Sequence, residues 1–145
     1  MRYRFFSLLL LITILISCAK PEKPQISFTN ITAQEVCKTI DKNENILLLD
    51  VRSEQEFNGT YGHLKNAILI PLHELQRKIN EIAQYKNSEV IVYCRSGNRS
   101  ITASNILIAN GFKDVNNLLG GMKGWNSSDI NSLPCKKELL VKNSS

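Results

Sequence analysis

Short apolar runs alternate with amphipathic stretches along most of this chain. Ile46-Leu47-Leu48-Leu49 is a continuous apolar run closed by Asp50, Ala67 to Ile70 is a second ended by Pro71, Glu89 to Tyr93 supplies a third strand, and Val115 to Leu119 reads as a fourth. Continuous runs of this length mark strands buried on both faces of a parallel sheet. Between them, Leu72, Leu75, Ile79 and Ile82 make one apolar stripe at helical spacing, and Ser100 to Asn110 offers Ile101, Ile106, Leu107 and Ala109 for burial before Gly111, a favoured helix terminator. Thr32 with Glu35 and Ser53 with Glu56 each form a capping-box pattern; the first opens a short helix carrying Val36, inward-facing Cys37 and Ile40. The pattern predicts an α/β domain with a parallel central sheet and helices on both faces, whose site lies at the carboxyl ends of the strands.

The first residues break this rhythm. Arg2 and Arg4 precede an apolar run from Phe5 to Ile16, the layout of an export signal and too short to span a bilayer as a helix. Leu15-Ile16-Ser17-Cys18 resembles the bacterial lipobox, which implies cleavage before Cys18 and lipid attachment to that cysteine. The expected organisation is a signal peptide over 1–17, a lipid-attachment and tether segment over 18–28 containing Pro21 and Pro24, a domain over 29–130, and a polar C-terminal tail over 131–145. Ala19 after the lipid-bearing cysteine implies, by lipoprotein sorting rules, the periplasmic face of an outer membrane.

Cleavage leaves 128 of 145 residues, enough for one domain with a sizeable core. The formal charge of +5 falls to +3 when Arg2 and Arg4 leave, so composition gives no strong nucleic-acid signal. His63 and His73 share no ligand-like partners, and no metal site is expected. Trp125 reads as a core or lid anchor. With Cys18 assigned to lipid, Cys37, Cys94 and Cys135 remain, and in an exported protein an odd cysteine is a candidate reactive thiol. Cys37 and Cys135 are the possible disulfide; their spacing leaves open whether they meet.

The chemistry concentrates in Tyr93-Cys94-Arg95-Ser96-Gly97-Asn98-Arg99-Ser100, where a buried strand delivers a cysteine to a tight polar loop that opens a helix. Backbone N–H groups of such a loop and the first unpaired donors of the helix converge on one anionic atom. A cysteine held there beside two arginines has a lowered pKa and is nucleophilic as its thiolate. Gly97 frees the backbone for a left-handed conformation, and Arg95 and Arg99 offer planar donor forks to a small anion.

Cys94-Arg95-Ser96-Gly97-Asn98-Arg99 resembles the active-site loop of the rhodanese family. Leu48-Leu49-Asp50-Val51-Arg52 with Glu56-Phe57 is similar to that family's early strand motif, Gly62-His63-Leu64-Lys65-Asn66-Ala67 with Ile70-Pro71 to its second, and Gly120-Gly121-Met122-Lys123-Gly124-Trp125 to its closing motif. Asn66 departs from the glycine common at its place. The resemblance implies a rhodanese-like fold and a sulfurtransferase without cofactor. In that reading Cys94 takes sulfane sulfur from a small anionic donor such as thiosulfate, holds it as a persulfide and passes it to a thiol or cyanide, while Arg95, Ser96, Gly97, Asn98 and Arg99 bind substrate. The expected molecule is a monomer, tethered to the envelope by its N-terminal lipid.

Other classes make different use of the same residues. A rhodanese-like binding module would hold partners without turnover, and a thiol redox protein would need Cys37 or Cys135 to resolve Cys94. Phosphatases with a related loop place five residues between cysteine and arginine, where this chain has four between Cys94 and Arg99. The shorter spacing makes a cradle better suited to sulfur than to a phosphoryl group.

Overall fold

The structure is a computed structural model that describes residues 27–42, 45–127 and 134–142. The export signal, Cys18 and most of the tether lie outside the described residues.

The strands β1 (Thr29–Ile31), β2 (Ile46–Asp50), β4 (Ile68–Leu69), β5 (Glu89–Tyr93) and β6 (Asp114–Leu118) form one parallel sheet in the order β1-β6-β5-β2-β4. The parallel α/β architecture read from the alternation is the one observed. Because side chains alternate across a strand, Leu47, Leu49, Val90 and Val92 face one core together with Leu75, Ile79, Ile82, Leu107 and Phe112. Leu48, Ile91 and Tyr93 face the other with Val36, Leu118, Met122 and Trp125. That placement explains why β2 and β5 are apolar at successive positions from Leu47 to Leu49 and from Val90 to Val92, and it puts Trp125 in the core, fully buried.

The helices are α1 (Ala33–Lys42), α2 (Glu54–Phe57), α3 (Leu72–Lys78), α4 (Asn98–Ala109), α5 (Gly121–Trp125) and α6 (Pro134–Leu139). Both capping boxes form: Glu35 N–H donates to Thr32 Oγ1 at 3.2 Å and Thr32 N–H to Glu35 at 2.7 Å, with the same reciprocal pair at Ser53 and Glu56. The stripe from Leu72 to Ile82 is not one α-helix: α3 ends at Lys78 and a 3-10 helix runs from Ile79 to Tyr85. The three-residue step from Ile79 to Ile82 suits the tighter winding and keeps both side chains in the core. In α4 the apolar assignment shifts: Ile101 and Ala109 are exposed, and the sheet-facing side is Ser100, Ala103, Ser104 and Leu107. These mostly small side chains let the helix lie close to the sheet.

The region expected to be a polar tail is corrected by the structure. The short strand β7 (Leu140–Val141) pairs antiparallel with β3 (His63–Leu64), Lys65 N–H donates to Leu139 O at 2.6 Å, and Cys135 is bonded to Cys37 of α1 with Cα atoms 5.8 Å apart. The segment has enough apolar surface in Cys135, Leu139 and Leu140 to join the core on that face. Gly62 is shaped by this contact: its φ is +62°, and a Cβ there would run into the carbonyl oxygen of Val141. Asn66, in the glycine-favoured place, has φ +64°, a left-handed conformation asparagine tolerates better than most residues.

Candidate active site

Cys94 leaves the carboxyl end of β5, the strand paired on both sides at the middle of the sheet, and is 1% exposed. The chain then turns at Gly97 (φ +102°, ψ −22°), which caps the N-terminus of α4. This turn directs Gly97 N–H to Cys94 Sγ at 3.2 Å, while the Ser100 hydroxyl lies 3.5 Å from the sulfur and 2.9 Å from Gly97 O. Burial pushes the Cys94 thiol up, but the Ser100 hydroxyl and the backbone N–H groups of Ser100, Ser96 and Gly97 outweigh it, and the net shift is downward. The loop therefore holds a sulfur anion largely through backbone and hydroxyl dipoles.

The back of this loop rests on α5. Met122 N–H donates to Cys94 O and Lys123 N–H to Arg95 O, both at 2.9 Å. Gly121, at φ +53°, makes that approach possible, since a Cβ would collide with the Cys94 carbonyl oxygen.

The two arginines have different surroundings. Arg95 is exposed and borders a cleft of about 320 Å³ shared with Glu56 and Tyr61. Arg99 does not offer a free fork: its Nη1 and Nη2 donate to the two carboxylate oxygens of Glu56 at 2.7 and 2.6 Å. That pairing, chiefly the Arg99 hydrogen bonds, holds the Glu56 carboxyl down to about 2. It also raises the Arg99 pKa, to which the charge of the Cys94 thiolate adds. On the far side of the pair, Arg99 borders a second cleft of about 330 Å³ with Leu72 and His73. Ser96 and Asn98 are exposed on the loop.

A buried frame positions Glu56. Arg52 and Asp50, both at the end of β2 and essentially inaccessible, form an ion pair of 2.6 Å. Arg52 also donates to Glu56 O at 3.0 Å and to Gly62 O at 2.7 Å, so one guanidinium holds the loop that follows β2. His63 stacks on Phe57, and Leu64 N–H donates to the buried Tyr93 hydroxyl at 3.2 Å. The structure thus gathers the sequence-predicted Cys94, Arg95, Ser96, Gly97, Asn98 and Arg99 on one loop and places the Cys37–Cys135 bond elsewhere, between α1 and α6. Sequence reasoning missed Glu56, Ser100 and Gly121 as parts of the site.

A buried thiol at the end of a central parallel strand, facing the N-terminus of a helix through a short loop, defines an α/β domain with one cysteine sulfur at the carboxyl-end site of its sheet. The model of the rhodanese-like domain matches residues 32–128, and the chain belongs to that family. It is 33% identical over 95 residues to a sulfurtransferase of Allochromatium vinosum, covering 66% of this chain and 85% of that protein. It is 32% identical over 99 residues to YrkF of Bacillus subtilis, described as a sulfur carrier protein, covering 68% of this chain and 51% of YrkF, so the match spans only about half of that relative. The crystal structure of a rhodanese-like domain protein from Staphylococcus aureus superposes with a TM-score of 0.63 at 27% identity, covering 81% of this chain and 100% of that one.

Proposed function

We propose that this protein is a sulfurtransferase that moves sulfane sulfur from a small anionic donor such as thiosulfate to a thiol or cyanide through a persulfide on Cys94. The observation that carries this reading is the convergence of Gly97 N–H and the Ser100 hydroxyl on Cys94 Sγ, which lowers the thiol pKa despite its burial.

In the first step the Cys94 thiolate attacks the outer sulfur of thiosulfate. A bond forms between Sγ and that sulfur, the sulfur–sulfur bond of the donor breaks, and its electron pair leaves with sulfite. In the second, an acceptor thiolate or cyanide attacks the outer sulfur of the persulfide, and the Cys94 thiolate is restored. The loop donors stabilise negative sulfur at the start and end of each cycle. Arg95, exposed beside the loop, supplies positive potential for the incoming anion.

Intact mass after incubation with thiosulfate tests the reading. The expected result is a gain of one sulfur atom, absent in Cys94→Ser and discharged by cyanide as thiocyanate. Failure of several sulfane donors to load Cys94 would overturn it in favour of a rhodanese-like binding module.

The N-terminal pattern supports a second part of the proposal: the chain is an exported lipoprotein, anchored through Cys18 at the periplasmic face of an outer membrane. Metabolic labelling with a palmitate analogue should mark the protein, and Cys18→Ala should abolish the label. An unlabelled wild-type protein would overturn the anchor.

A further inference from the structure

Arg99 stands beside the nucleophile, yet both of its terminal nitrogens are already bonded to Glu56, at 2.7 and 2.6 Å. A bidentate carboxylate uses the same donor edge that a bound oxyanion would use. Among the described residues no acidic side chain forms an ion pair with Arg95, which is exposed at the neighbouring cleft. Glu56 is not free to drift away from Arg99. Its backbone carbonyl is held by Arg52 at 3.0 Å, and its carboxylate also accepts the Ser53 N–H at 3.2 Å in the capping box that fixes α2. The pair lies between the two clefts: Glu56 lines the one with Arg95, Arg99 the one with His73. The mouth of the site thus carries two cations and one anchored anion.

We propose that Glu56 is a specificity-determining residue: by occupying Arg99 it leaves Arg95 as the free cation and lowers the site's preference for doubly charged donors relative to singly charged or neutral ones. The inference rests on the sulfurtransferase reading and deepens it, because it says how the site weighs donor charge: a dianion such as thiosulfate still loads Cys94, but gains less from the arginines than it would with Arg99 unpaired. It concerns the charge that Cys94 faces, so it can be measured without any sulfur transfer. An oxyanion reaching Arg99 must displace a carboxylate already in place, whereas a singly charged donor is satisfied by Arg95 alone. The lowered pKa of Glu56 is consistent with this, since the carboxylate stays charged throughout the neutral range.

The test is alkylation of Cys94 by iodoacetate, which is anionic, and by iodoacetamide, which is neutral and of similar size, read on the Cys94 peptide by mass spectrometry in the purified full chain. The ratio of the two rates reports charge at the nucleophile, and the iodoacetamide rate alone reports folding and thiolate availability. In Glu56→Gln, whose glutamine also suits the capping box, the ratio should rise about three- to tenfold, and the rise should shrink with added salt. In Arg99→Gln, which leaves Glu56 uncompensated, the ratio should fall below that of the wild type. The double variant should return near the wild-type ratio, because a neutral pair replaces a neutral pair.

A Glu56→Gln ratio within about twofold of wild type, with an unchanged iodoacetamide rate, would overturn the proposal. If Glu56→Gln instead loses iodoacetamide reactivity, the cycle is read from Arg99→Gln, where an unchanged or increased ratio overturns it. Thiosulfate loading separates the two levels. Loading with no ratio change removes the role of Glu56 and leaves the sulfurtransferase reading, whereas a ratio change with no donor loading does the reverse.

Discussion

The Met122 N–H donates to the carbonyl oxygen of Cys94 at 2.9 Å, so the peptide group that carries the buried thiol is anchored to the first turn of α5. Gly121, immediately before, has no room for a side chain against that carbonyl. Replacing it should displace the loop from behind. Gly121→Ala is expected to lose about 2 to 4 kcal/mol of stability, from backbone strain and the lost approach together. It should also slow Cys94 alkylation at neutral pH about tenfold or more. Urea unfolding and iodoacetamide kinetics check both; a stable variant with wild-type kinetics would remove α5 from the site's support.

Ser100 gives a cleaner probe of the thiolate. Its hydroxyl lies 3.5 Å from Cys94 Sγ and helps hold the thiol pKa below its ordinary value. Ser100→Ala should move the pH profile of iodoacetamide alkylation to higher pH. Near neutral pH the rate should fall roughly tenfold, the scale of one lost hydrogen bond to a charged group. A profile at the wild-type position would assign the stabilisation to the backbone N–H groups alone.

The Glu56 carboxyl has a folded-state pKa of about 2, below its usual value. A depressed carboxylate contributes stability that is fully present above its unfolded pKa and is lost as pH falls through the folded one. Glu56 should therefore stabilise the domain above about pH 4.5 and progressively less down to about pH 2. Urea midpoints measured across that range should fall more steeply for wild type than for Glu56→Gln. Parallel curves would show that the pair is not linked to folding.

The bond between Cys37 and Cys135 closes a separation of 98 residues. In the chain-entropy account a loop of that size stabilises by about 4 to 5 kcal/mol. Cys37→Ser and Cys135→Ser should each lower the urea midpoint by a similar amount, and a reductant should bring wild type to the same value. If β7 depends on this bond, the amide of Lys65, which donates to Leu139 O, should also exchange faster in both variants.

Much of this architecture is legible in the sequence because its signals are local. The runs Leu47 to Leu49 and Val90 to Val92 are apolar at successive positions because β2 and β5 are covered on both faces, and Cys94, its turning glycine and its two arginines lie within six consecutive residues. What stayed hidden depends on partners far along the chain. The strand β1 presents only Ile31 to the core, and β3 and β7 are two residues each, so none has a readable period. Glu56 looks like an ordinary capping residue until Arg99, 43 positions away, is seen against it. Gly121 is one of several glycines until the Cys94 carbonyl fills the space its side chain would need. The polar composition after Asn126 similarly obscured Cys135 and the two-residue strand that follows its helix.

The Cys37–Cys135 bond also gives the domain an unusual covalent outline. Residues 37–135 form a closed ring that contains β2, β4, β5, β6 and the Cys94 loop, with β1 before it and β7 after it. A single backbone cut anywhere inside that ring opens it without releasing a fragment. A nicked molecule would still migrate as one species until the sulfur bridge is reduced, and the two pieces would remain covalently tethered.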